Sequence, residues 1–113
     1  MIPGDTMTIG EERQGGDLLL KPVGDVDLSR SPQMRERLAK ALAQKPTRIV
    51  VDLSQVPYMD SSGVATLVEA LQHCRKAGCE LVLSSLHPKV RSIFEIAKLN
   101  QVFKIVDAPG GGG

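Results

Sequence analysis

Asp60, Ser61, Ser62 and Gly63 are the residues of this 113-residue chain whose types and spacing best suit chemistry. A carboxylate is followed at once by two hydroxyls and then by a residue without a side chain. A β-branched run, Ile49-Val50-Val51, leads into this stretch, and a helical apolar pattern beginning at Val64 leads out of it. Asp and Ser favour helix N-caps because their oxygens accept bonds from the unpaired N–H groups of the first turn. Those N–H groups and the helix dipole also make such an end favourable for an anion. A serine here is therefore a plain cap or a site whose chemistry ends in a phosphate. Phosphorylation would add a charge of about −1.5 to −2 beside Asp60. The dipole would favour that charge and the carboxylate would repel it, so the outer surface can change strongly while the fold does not. Asp60 can also polarise the serine hydroxyl.

Other chemistries find little support. There is no Gly-rich phosphate loop, and Ser61-Ser62 is not framed as a Gly-x-Ser-x-Gly elbow. A nucleophilic serine needs a positioned base and an oxyanion hole. His73 lies about three helical turns from Ser61, and His87 before Pro88 reads as a turn or capping residue. Cys74 and Cys79 are too few for a disulfide framework or a zinc set; Cys74 continues an apolar stripe and Cys79 begins a strand. Neither an enzyme nor a cofactor or metal is expected. Net charge is +1 with both signs interspersed, and the aromatics are one Tyr and two Phe with no Trp. A basic stripe and stacking platforms are both missing, which argues against direct nucleic-acid binding. No apolar run approaches the roughly 18 residues of a membrane span. Asp5, Glu11 and Glu12 interrupt any signal-peptide layout, so a cytoplasmic location is expected.

The elements that must position Ser61 can be read from periodicity. The hydrophobic fraction of 42% and charged fraction of 24% suit one globular domain. We assign residues 1–5 to a flexible N-terminus, 6–107 to the domain and 108–113 to a disordered Gly-rich tail. Met7-Thr8-Ile9 and Leu18 to Val23 form a hairpin about Gln14-Gly15-Gly16-Asp17, with Pro22 suggesting an edge or a bulge. Ser29 or Ser31 caps a first helix whose buried face is Met34, Leu38, Ala41 and Leu42. Thr47 to Leu53 is a strand buried on both faces. A second helix, from Ser62 to Ala77, buries Val64, Leu67, Val68, Leu71 and Cys74 and stops at Gly78. Cys79 to Ser84 is a strand, and a third helix after His87-Pro88 buries Val90, Ile93, Phe94 and Ala97. Val102 to Val106 closes the order. This alternation predicts an α/β domain with parallel crossovers. The first and second helices would cover one face of a mixed, mainly parallel sheet, with Ser61 at the carboxyl end of a central strand.

The chain resembles the STAS domain of the bacterial anti-sigma-factor antagonist (anti-anti-sigma factor) family. The residues that carry the resemblance are Gly24-Asp25-Val26-Asp27, Ile49 to Ser54, Tyr58-Met59-Asp60-Ser61-Ser62-Gly63, the segment from His87 through Phe94 to Leu99, and Phe103-Lys104-Ile105. It spans about Met7 to Val106, and Val64-Ala65 replaces the family's frequent Leu-Gly. The resemblance implies a STAS fold and a partner-switching protein involved in transcription regulation. Its partner would be an anti-sigma factor that is also a serine-protein kinase of the ATPase-like kinase fold. That kinase phosphorylates the serine after the aspartate, and a PP2C-type phosphatase restores it. The unphosphorylated form sequesters the anti-sigma factor and frees sigma. Ser61 is then the phosphoacceptor. Asp27, Met59, Asp60, Ser62 and Gly63 are partner-binding, with Ser62 as local cap and Gly63 permitting close approach of the partner. No cofactor is implied, since ATP belongs to the kinase. The alternatives are a STAS subunit of a lipid-transport ABC system that binds the ATPase, or a stressosome-like scaffold module. A sulfate-transporter tail is disfavoured, because the chain reads as complete and has no membrane span.

Overall fold

A computed structural model describes residues 7–107; the expectations for residues 1–5 and 108–113 lie outside them. The elements are β1 (Thr8–Gln14), β2 (Asp17–Val23), α1 (Ser31–Ala43), β3 (Arg48–Asp52), α2 (Ser61–Ala77), β4 (Glu80–Ser84), α3 (Pro88–Ile96) and β5 (Lys104–Val106), with a 3-10 turn at Leu99–Gln101. The five strands lie in sequence order in one sheet. The β1–β2 pair is antiparallel, and β2–β3, β3–β4 and β4–β5 are parallel. Each parallel step carries a helix in its connection, as a parallel pair requires. The predicted mixed, mainly parallel α/β sheet is the sheet observed.

Period-two alternation divides the strands between two faces. Leu18, Leu20, Ile49, Val51, Leu81 and Leu83 share a core with Met34 and Leu38 of α1, Leu67 and Leu71 of α2, and Val90 and Phe94 of α3. All three helices thus pack on one face, α3 joining the two expected there. The opposite face carries only a small cluster of Leu19, Val50 and Val82, with Val106 against it. Alongside that cluster runs a ladder of ion pairs, Asp17–Arg48–Glu80–Lys104, from neighbouring strands. Phe94 and Phe103 meet edge to face, with ring centroids 5.4 Å apart, and seat β5 against α3.

Four local expectations need correction, the simplest being Ala97, expected on the buried face of α3 but exposed at its C-terminal end. The strand containing Pro22 is internal, yet its parallel pairing with β3 ends at Leu20–Val51, so the missing N–H of Pro22 breaks no ladder. Neither Ser29 nor Ser31 caps α1. The turn before it is built by Asp27, whose main-chain oxygen accepts from the amides of Arg30 and Ser31, and Arg30 occupies the cap position without a side-chain bond. Finally, α2 buries Gly63 and Thr66 fully, while Val64 and Val68 are only half-buried. Its end follows expectation: Gly78 is left-handed (φ 73°), and the Cys79 amide bonds back to the Cys74 carbonyl. Burial, together with the neighbouring Cys79, pushes the Cys74 thiol up to about 12, which marks it as an inert packing group.

Candidate functional site

Two loops at the carboxyl edge of the sheet are zipped together by their backbones. Gly24 donates to the Gln55 carbonyl (2.8 Å), Val26 to that of Tyr58 (3.0 Å), and Asp60 back to that of Val26 (3.2 Å). Val26 and Met59 pair in an isolated parallel bridge, and both side chains are fully buried. Buried apolar residues anchor both loops to the core: Val26 in the first, and Leu53, Val56 and Met59 in the second. Everything displayed above the bridge is held in register.

Asp60 is the hub. Its extended backbone (φ −102°, ψ −173°) places it just outside α2, in the cap position. One carboxylate oxygen accepts from the Ser62 amide (2.9 Å), the Gly63 amide (3.3 Å) and the Ser62 hydroxyl (2.5 Å). The other accepts from the Leu28 amide (3.2 Å) and so ties the α2 cap to the opposite loop. These donors, the Ser62 hydroxyl foremost, hold the Asp60 carboxyl below its ordinary range against the opposing cost of burial. The cap expected of Ser62 belongs to Asp60 instead. Ser62 already has helical backbone, so its hydroxyl donates to the cap rather than serving as one.

The two serines differ sharply. Ser61 is the first residue of α2 and exposed, and its hydroxyl has no hydrogen-bond partner among the described residues. Ser62 is half-buried, with its hydroxyl committed to Asp60 and its carbonyl accepting from the buried Thr66 hydroxyl (2.9 Å). Asp27 belongs to the same edge, since the next residue, Leu28, donates to Asp60. Its carboxylate accepts from the Ser29 hydroxyl (2.7 Å) and the Ser29 and Arg30 amides. The Ser29 hydroxyl is the main cause of its lowered pKa.

Met59 and Gly63 lie beneath this surface rather than on it. A methyl group on Gly63 would stand 2.6 Å from Met59 Cγ and 2.9 Å from both Val26 Cγ1 and the Val26 carbonyl oxygen. The close approach that Gly63 permits within the chain is therefore to its own Val26–Met59 bridge. Met59, 0% exposed, fills the space under the first turn of α2. Sequence reasoning missed Val26, Leu28 and Tyr58. A lone apolar residue in a polar turn has no periodicity to betray it; only the spacing of Val26 between Asp25 and Asp27 hinted at an anchor. His87 is placed by the structure as well: its Nε2 lies 2.8 Å from the Ser54 carbonyl, so the ring braces the loop that follows β3. No group of three or more His, Cys, Asp or Glu residues suited to a metal occurs among the described residues. No helix there is long and apolar enough to cross a membrane.

The fold is thus an α/β sheet covered by helices on one face, with Ser61 at the Asp60-capped start of α2 on its carboxyl edge. A sequence profile described as the STAS domain matches residues 9–110, and the chain belongs to that family. Among curated proteins it is similar to the anti-sigma-B factor antagonist of Listeria monocytogenes, 29% identical over 100 residues that cover 88% of each chain. It is likewise similar to the anti-sigma-B factor antagonist of Bacillus subtilis, 26% identical over 106 residues that cover 94% of this chain and 96% of that one. A crystal structure of an anti-sigma factor antagonist from Mycobacterium paratuberculosis superposes with a TM-score of 0.86 at 20% identity, covering 96% of this chain and 92% of that one. At that identity the likeness concerns the fold alone.

Proposed function

We propose that this chain is a phosphorylation-controlled protein-binding switch. Unphosphorylated, it captures an anti-sigma factor that is also a serine kinase of the ATPase-like fold and so releases a sigma factor. Phosphorylated on Ser61, it lets that partner go, and a PP2C-type phosphatase resets it. The chain acts by binding in the cytoplasm and catalyses nothing itself. The antagonist names of its relatives support the class of partner.

One observation carries the choice of acceptor. Of two adjacent serines at one helix start, Ser61 offers an exposed, unengaged hydroxyl, whereas the Ser62 hydroxyl is bonded to Asp60 and half-buried. A kinase's base can reach the first without breaking the cap. Incubation with the cognate kinase and ATP should add one phosphate, which fragmentation mass spectrometry maps to Ser61. Ser61→Ala should abolish labelling and, because Ser61 is not the cap, change stability by less than about 0.5 kcal/mol. Label on Ser62, or full label on the alanine variant, would refute the assignment.

A further inference from the structure

Large apolar side chains that a folded domain leaves in water are few here. Of the five exposed ones among the described residues, Leu28 and Tyr58 belong to the zipped loops around Ser61, and Val23 ends β2 just before them. Leu28 is 75% exposed and Tyr58 50% exposed. Neither is floppy. The Leu28 amide is bonded to Asp60, and the Tyr58 carbonyl accepts from Val26, so the backbones under both side chains are fixed. A leucine held out into solvent from a turn otherwise made of Asp27, Ser29 and Arg30 is a costly placement unless something covers it. Asp27 and Asp60 stay charged, but their oxygens are already engaged by several donors within the chain and offer a partner few free acceptors.

From this we infer that Leu28 and Tyr58 are the apolar anchors on which the partner protein sits, and that a phosphate on Ser61 releases that partner chiefly by desolvation. The inference rests on the switch proposed above and adds what determines its affinity and how it opens. The partner surface it requires is an apolar socket that takes both side chains and closes over Ser61. Covering a neutral hydroxyl with such a socket costs far less than covering a charge. A phosphate in the same place would have to shed its water beneath an apolar contact, which disrupts the interface. Within the free domain, the phosphate stays hydrated at a helix N-terminus that favours it. The switch then leaves the domain folded and destroys only the contact.

The test uses the source organism's ATPase-fold anti-sigma kinase, purified and titrated calorimetrically with unmodified and Ser61-phosphorylated protein. Leu28→Ala and Tyr58→Ala should each weaken binding of the unmodified form about tenfold or more. Both should still melt cooperatively and close to the unsubstituted protein, since Leu28 is 75% and Tyr58 50% exposed. Leu28→Gln, which keeps the length and removes the apolar character, should weaken binding similarly, and Tyr58→Phe should largely retain it. The phosphorylation effect should persist in about 0.5 M salt, where charge–charge effects beyond a few ångströms are screened, and it should shrink in the Leu28→Ala background. Wild-type affinity in both alanine variants would overturn the inference, as would a phosphate effect that vanishes with salt. Failure of the unsubstituted protein to bind or be labelled by any such kinase would instead bring down the switch itself. That result appears in the first titration, before any anchor is changed.

Discussion

A single carboxylate ties the site together, and its chemistry fixes how the site responds to acid. Asp60 caps α2 and holds the Leu28 amide, so it joins two loops that are distant in sequence. The donors around it favour the ionised form, and its pKa lies below the ordinary value. A group depressed in the folded state contributes stability that is complete above its unfolded value, about 3.9, and is lost as pH falls through the folded one. Asp60→Asn keeps a capping oxygen but has nothing to titrate. The variant should be the less stable protein at about pH 7, and the difference should narrow towards about pH 2 as the wild-type carboxylate becomes protonated. Glu11 and Glu80, lowered by bonds from Arg37 and Lys104, titrate in both proteins and cancel in the comparison. Urea unfolding at several pH values measures this directly. A difference that does not change with pH would mean that the charge of Asp60 is irrelevant to the cap.

Helix α2 carries the serine, and its hold on the sheet can be tested apart from the switch. Leu67 is 0% exposed and meets the core, whereas Gln72 and Arg75 face solvent. Leu67→Ala should cost about 2–5 kcal/mol, and changes at Gln72 or Arg75 under about 0.5 kcal/mol; thermal or urea melts would compare them. Equal losses at all three would mean that the buried face is wrongly placed. Most of this helix was legible in the sequence, because a 3.6-residue apolar stripe and a terminal glycine are local signals. β3 was legible for a similar reason: its unbroken apolar run is buried on both faces, with Ile49 and Val51 in the main core and Val50 in the opposite cluster. Thr66 escaped notice because its burial depends on a bond to its own helix, which hides a hydroxyl that polarity would place outside. The roles of Met59 and Gly63 escaped as well. Nothing in the Met-Asp-Ser-Ser-Gly string reveals that Val26 lies under it, and that contact decides what the glycine is for. The position of Ser61, proposed as the acceptor, was readable as a helix start. That the cap is Asp60, leaving Ser61 free and Ser62 engaged, emerged only when the two loops were seen together.

The molecule as a whole is arranged so that modification at its edge need not reach its core. Three helices lie on one face, and the site sits where the loops after β2 and β3 are bridged. Those loops are pinned by Val26 and Met59 within the main core. A phosphate on Ser61 would meet two opposing local effects, attraction by the N-terminus of α2 and repulsion by Asp60. A surface charge at a helix end is worth roughly 0.3–1 kcal/mol, so the balance should fall below about 1 kcal/mol in either direction. For a domain of this size that corresponds to a melting shift of no more than about 8 °C. Calorimetric melts of the unmodified protein, the phosphorylated protein and Ser61→Asp should therefore lie close together. Amide exchange in β3 and β4 should be the same in all three, with differences confined to the first turn of α2 and the loop carrying Leu28. Widespread loss of protection across the sheet on phosphorylation would show that the switch works by unfolding, and the rigid-edge account would have to be abandoned.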